Sequence, residues 1–130
     1  LNILIMDQKL MTRYKSQGKI RVGNKNIVVD IDKGIYFFYR SLIPKAIRPN
    51  PQKYNPHISV VRNEDVPLID RWKDDDGKFI TFQYDTTIHN CDKYFWINVY
   101  SKDIENVRVN LGLPPVKYSS FHITLGNLKG

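Results

Sequence analysis

Apolar and polar positions alternate with a period of two in several short stretches of the chain, and that period belongs to half-buried strands. Residues 19–22 (Lys-Ile-Arg-Val) and 27–31, rich in β-branched residues, flank the turn signal Gly23-Asn24. They read as two strands joined by a tight connection. Residues 57–62, 78–86, 94–100 and 121–128 read as further strands. In residues 94–100, Phe95, Ile97 and Val99 share one face, and Tyr94, Trp96, Asn98 and Tyr100 share the other. Residues 34–42 (Gly-Ile-Tyr-Phe-Phe-Tyr-Arg-Ser-Leu) are predicted as a helix ending before Pro44, with the aromatic run Tyr36–Tyr39 contributing to the core. Residues 66–73 are predicted as a short helix, with Asp65 as its N-cap and Pro67 in its first turn. Residues 103–111 are predicted as another, with Ser101 or Lys102 near the N-cap and Gly112 at the C-terminal glycine position. The order is ββαβ followed by αββαβ, which indicates an α+β fold.

Composition narrows the class without naming a function. A chain of 130 residues with 42% apolar content fits one globular domain with a core of its own. Residues 18–130 read as that domain. Residues 1–17, which begin with apolar Leu1–Met6, read as an N-terminal extension that is either peripheral or an edge strand. No stretch of 18 apolar residues exists, so no membrane-spanning helix is expected. The single cysteine, Cys91, has no partner for an internal disulfide and suits a reducing, cytoplasmic setting. The charge is +7, from 20 Lys+Arg against 13 Asp+Glu, which favours a polyanionic partner such as RNA or a nucleotide. A monomer is expected, with no membrane partner.

The chemistry lies in a repeated string. Two of the three histidines open near-identical segments, His57-Ile58-Ser59-Val60 and His122-Ile123-Thr124-Leu125. In a strand, residues i and i+2 face the same side. Each segment therefore sets an imidazole beside a hydroxyl and sends its apolar residues to the opposite face. A single His-x-Ser in a strand carries no message. Two copies in strand contexts supply the parts for phosphoryl transfer: one neutral imidazole to take a proton, one imidazolium to give one, and two hydroxyls to bind phosphate oxygens. That set requires no metal or cofactor.

These strings resemble the 2H phosphoesterase superfamily, defined by two His-x-Ser/Thr motifs. The wider segments Tyr39-Arg40-Ser41-Leu42-Ile43-Pro44-Lys45, Asn55-Pro56-His57-Ile58-Ser59-Val60-Val61-Arg62 and Phe121-His122-Ile123-Thr124-Leu125-Gly126-Asn127 are similar to its bacteriophage "Swiss Army Knife RNA repair-like" branch. The resemblance runs from about Gly18 to Lys129. It implies a bilobal fold of two pseudo-symmetric antiparallel sheets flanked by helices, with a catalytic cleft between them. It also implies His57 and His122 as the acid/base pair, in unassigned order, and Ser59 and Thr124 as phosphate binders. The family includes RNA 2′,3′-cyclic phosphodiesterases, 2′-5′ oligoadenylate phosphodiesterases and viral enzymes that degrade cyclic oligonucleotide signals. A metal-independent phosphodiesterase acting on 2′,3′-cyclic phosphate RNA ends, in RNA end healing, is the leading expectation. In a phage protein, which would work in the host cytoplasm, degradation of a signalling nucleotide is the alternative. A non-catalytic RNA-binding module that kept the fold is the third.

Further candidates surround the motifs. Lys45, Arg48 and Lys117 are predicted phosphate binders, since loops at strand ends carry binding residues. Arg40 is a weaker candidate, as is Arg62, which strict alternation from His57 points away from the cleft. Tyr54, Tyr118 and Trp96 are candidates for base stacking. His89 and Cys91 form a His-x-Cys pair, too few ligands for a zinc site. Asp74-Asp75-Asp76-Gly77 lacks the distal glutamate of a calcium loop and reads as a charged loop tip.

Overall fold

The structure, a computed structural model, describes residues 13–47, 49–52 and 54–128. In chain order the elements are β1 (Arg13–Val22), β2 (Asn26–Asp30), α1 (Lys33–Ser41), β3 (His57–Arg62), β4 (Phe79–Asp85), β5 (His89–Asn90), β6 (Tyr94–Tyr100), α2 (Lys102–Asn110) and β7 (Phe121–Asn127). The fold is α+β, as the mixed pattern predicts. Strand β1 starts at Arg13 and pairs with β4 from there to Lys19, so residues 13–17 lie in the sheet. Residues 1–12 lie outside the described residues.

The strands follow the order β4-β1-β2-β3-β7-β6, and β4 pairs back onto β6 through Gln83–Tyr100 and Tyr84–Val99. The short β5 shares that edge of β6 through Phe95 and Trp96. The described strands thus make one antiparallel, barrel-like sheet, which replaces the two separate sheets that the resemblance implied. The physical reason is that both potential gaps are bridged: β3 bonds to β7, and β4 bonds to β6.

Ser101 caps α2 as its sequence predicts, and Asp32 caps α1. The Asp32 carboxylate accepts from Gly34 N at 2.8 Å, and Ser101 Oγ accepts from Ile104 N at 3.1 Å. Gly112 ends α2 with φ +83°, a conformation that side chains disfavour. The predicted helix over 66–73 is only a single 3₁₀ turn, Ile69–Arg71, with no side-chain cap from Asp65. Its anchors pull it apart. Leu68 N bonds to Leu111 O, Trp72 Nε1 bonds to Gly23 O, and both Leu68 and Ile69 stay exposed. The Asp74–Gly77 loop leads into β4, with Asp76 accepting from Val22 N.

One core underlies the sheet. Ile58, Val60 and Val61 of β3, Ile97 and Val99 of β6, and Ile123 and Leu125 of β7 share one core with Ile104 and Val107 of α2, Leu111 just past its end, and Tyr36 and Tyr39 of α1. Phe37 and Phe38 are exposed, so only the tyrosines of that aromatic run join the core. Gly126 lets the α1–β3 connection approach β7. A Cβ there would lie 2.7 Å from both Arg40 Nη1 and Asn50 O. Asn50 and Asn127 exchange backbone hydrogen bonds across that contact.

Candidate functional site

Strands β3 and β7 are neighbours, and their register centres on one pair, Ile58 opposite Ile123. Both isoleucines are fully buried, which pins the register from the core side. The antiparallel direction then sets Ser59 across from His122, and His57 across from Thr124. All four side chains project from the face opposite the core. They form a quartet with local two-fold symmetry: imidazoles on one diagonal, hydroxyls on the other. Diagonal neighbours across a strand pair stand about 7–8 Å apart, enough to admit a phosphate between the imidazoles.

The quartet lines a concavity of about 220 Å³ shared with Arg62, Glu64, Lys117, Tyr118 and Ser120. Arg62 arrives there through a β-bulge. Ile27 pairs with Val61 and Val28 with Ser59, so Val60 is an extra residue in β3. Val60 and Val61 are both buried. Alternation resumes one residue late, and Arg62 emerges on the side of His57 and Ser59. The Val60 carbonyl accepts from Arg108 Nη1 at 2.8 Å. Arg108, itself 1% exposed, also donates to Pro114 O and grips Glu64 through both carboxylate oxygens at 2.8 and 3.0 Å. The Arg108 hydrogen bond holds the Glu64 carboxyl below its ordinary pKa, against the opposing effect of burial.

The two histidines sit in different surroundings. His57 Nδ1 lies 2.7 Å from the Asn55 carbonyl, which can only accept, so Nδ1 carries a proton and Nε2 is the nitrogen left open. His122 is half-buried, with its ring edge-on to Trp96 at 5.6 Å, and it makes no hydrogen bond among the described residues. Burial pushes its pKa down, and the charge of His89 adds to the effect.

Behind His122 lies a polar network. Asn98 Oδ1 accepts from Trp96 Nε1 at 3.0 Å and from Ser120 Oγ at 3.1 Å. Trp96 can only donate, which fixes the amide orientation and turns Asn98 Nδ2 toward His89 Nε2 at 3.1 Å. The same His89 nitrogen stands 3.1 Å from Asp85 Oδ2. Neutral His89 can accept from Asn98; protonated, it donates to Asp85. No cluster of three or more His, Cys, Asp or Glu suited to a metal ion occurs among the described residues.

The remaining candidates divide clearly. Lys117 and Tyr118 line the concavity with the quartet. Lys45 and Tyr54 are exposed and do not line it. Arg48 lies outside the described residues. Trp96 is not an open stacking platform: His89 covers one face at 5.9 Å and 24°, and His122 takes the edge. Arg40 is committed to structure, donating to Leu125 O at 2.9 Å and Pro49 O at 2.6 Å. Sequence reasoning missed Glu64, Arg108 and Ser120, named Asn98 only as part of a strand face, and ranked Arg62 low. One signal was present for Arg62: the doubled valine, Val60-Val61, breaks the alternation before it.

Among the described residues no helix is long and apolar enough to cross a membrane. Neither a curated protein nor a solved structure matches the chain. A family model described as "Swiss Army Knife, 2H phosphoesterase domain" matches residues 38–129, which include both motif strands and the network between them. The chain with this paired His-x-Ser and His-x-Thr quartet belongs to the 2H phosphoesterase family, in its Swiss Army Knife branch, and phosphodiesterase chemistry is the activity that membership indicates.

Proposed function

We propose that the protein opens RNA-type phosphodiesters, with a 2′,3′-cyclic phosphate at an RNA end as its substrate. The observation that carries this reading is the diagonal placement of His57 and His122 around the Ile58–Ile123 pair. A displacement at phosphorus needs its base and acid on opposite sides, where the attacking and leaving oxygens lie. The two hydroxyls occupy the other diagonal, where the non-bridging oxygens gather charge.

His122 is the base in this reading. Burial and the nearby His89 favour its neutral form, ready to take a proton from water. His57 is the acid, since the Asn55 carbonyl accepts from Nδ1–H and so leaves Nε2 to face the leaving group. The water oxygen bonds to phosphorus as its proton passes to His122. The bond from phosphorus to one ribose oxygen breaks, and that oxygen takes the proton from His57. Ser59 and Thr124 donate to the phosphate oxygens throughout. Solvent exchange then restores both histidines.

Size supports an RNA end over an enclosed cyclic dinucleotide. Pockets that engulf a drug-sized ligand span about 300–1,000 Å³. The concavity here, about 220 Å³, suits a phosphate and its ribose, with the rest of the strand outside. The test is cleavage of a short RNA ending in a 2′,3′-cyclic phosphate, in excess EDTA, by wild type, His57→Ala and His122→Ala. Opening by wild type alone is expected. No opening by the folded wild type would sink the RNA-end reading and move the search to signalling nucleotides.

A further inference from the structure

We infer that Arg62 and Lys117 form a second phosphate subsite beside the quartet, so the substrate is an oligonucleotide whose terminal nucleoside also carries a 5′-phosphodiester. This rests on the RNA-end reading above and specifies its substrate. Three observations support it. First, the bulge at Val60 brings the Arg62 guanidinium to the rim of the same concavity. Regular pairing would have buried it. The bulge disrupts the ladder at Val60, and the buried Arg108 donates to the Val60 carbonyl, so an internal cation braces the irregularity.

Second, the acid that lines this rim is already neutralised. Glu64 gives both carboxylate oxygens to Arg108. Arg62 makes no ion pair among the described residues, and Lys117 is exposed with its Nζ 5.5 Å from the Tyr118 ring centre. Two cations therefore face the concavity beside a carboxylate whose two oxygens are held by Arg108 and whose charge also reaches Lys117. An unpaired Arg on a strand end presents a planar donor fork that matches a phosphate's oxygens.

Third, the spacing fits. Arg62 lies three residues past Ser59, about 7–10 Å along the strand. That is comparable with the distance between successive phosphates on a nucleic-acid backbone. The other end of the site, beyond His122, is occupied by the Trp96–His89–Asn98 network and offers no lysine or arginine among these residues. The 5′ phosphate is thereby directed to one side, which sets the strand polarity: the cyclic phosphate at the quartet, the upstream strand leaving over Arg62 and Lys117.

The experiment compares equilibrium binding of adenosine 3′-monophosphate and the dinucleotide ApAp, which carries one more phosphate. The proteins are wild type, Arg62→Ala, Arg62→Lys and, as a charge-matched control away from the cleft, Lys102→Ala. Wild type is expected to prefer ApAp by about tenfold or more, the size of one charge-assisted contact. Arg62→Ala should lose most of that preference, Arg62→Lys should keep part of it, and Lys102→Ala should retain it. The slope of log affinity against log salt for ApAp should fall by about 0.7 in Arg62→Ala, the share of one phosphate contact on a single strand. No preference in wild type, or an equal loss for both ligands in Arg62→Ala, would overturn the subsite. Cleavage of ApA with a 2′,3′-cyclic end is followed in parallel. A binding preference without cleavage defeats the enzymatic reading and leaves the subsite standing, whereas cleavage without the preference defeats the subsite alone.

Discussion

The two halves of the quartet begin from nearly the same four residues and end in opposite environments. His57 opens a strand at the mouth of a loop, with a backbone carbonyl on one nitrogen and two exposed cations near its strand's far end. His122 sits between neighbouring strands, half-buried, edge-on to Trp96 and backed by Asn98, His89 and Asp85. A repeated motif therefore fixes where the reactive groups stand. The neighbours, which are not repeated, give the two imidazoles different surroundings, and on the proposed mechanism these decide which gives a proton and which takes one.

Removing either imidazole is the largest test of that difference. His57→Ala and His122→Ala should each cost about 10²–10⁴-fold in turnover, the range of general acid–base catalysis. The surviving pH limb should differ between them. A base must be deprotonated, so its limb is a rise with pH; an acid must be protonated, so its limb is a fall. His122→Ala should lose the rising limb, and His57→Ala should lose the falling one. Residual rates measured from pH 5 to 9 decide it, and the reverse pattern would exchange the two roles.

The support beneath the β3 half can be broken next. Glu64→Ala leaves the buried Arg108 charge uncompensated and should cost about 3–5 kcal/mol in denaturant unfolding. The pair should also make stability depend on acid. The folded Glu64 carboxyl has a lowered pKa, so its contribution is present above the unfolded carboxyl value and is lost as pH falls through the lower, folded one. Unfolding free energies followed downward from pH 6 should drop more steeply in wild type than in Glu64→Gln. Parallel curves would show that the pair adds nothing to acid sensitivity.

These supports explain what the sequence conceals. The quartet was legible because it depends on local parity: His-x-Ser and His-x-Thr in strands must share a face, whatever surrounds them. The strands were legible for the same reason, helix α1 through its length and the following Pro44, and α2 through its cap Ser101. Arg62 was misjudged because parity is counted along one strand, whereas a bulge is a property of two. Nothing near Arg108 marks it as the partner of Val60 and Glu64, which lie more than 40 residues away. Trp96 read as a free aromatic because its cover, His89, comes from β5, a strand of two residues. The single barrel-like sheet was hidden likewise, since closure depends on the β4–β6 pairing at Val99 and Tyr100.

The hydroxyls offer a smaller test of the two-fold symmetry. Ser59→Ala and Thr124→Ala each remove one donor to the phosphate and should lower kcat by about 10²-fold or somewhat less, with little change in fold. If the diagonal geometry is right, the two losses should be similar although the histidines beside them differ. A loss confined to one variant would mean that the phosphate sits off the centre of the quartet.

The finest test lies behind His122. The charge of His89 is the second cause of the depressed His122 pKa, after burial. His89→Gln keeps a polar group near Asn98 and Asp85 but cannot become cationic. Without that repulsion the His122 imidazolium is easier to form, so its pKa rises and the rising limb of the pH–rate profile moves to higher pH. Burial remains, so the limb should stay below the ordinary histidine value of about 6.5. The falling limb, assigned to His57 on the proposed mechanism, should not move with it. NMR titration of the His122 ring protons in wild type and His89→Gln reads the same quantity without turnover. A shift of both limbs together would mean that the two imidazoles titrate as one coupled pair, and the contrast between the halves of the site would then belong to the pair and to neither histidine alone.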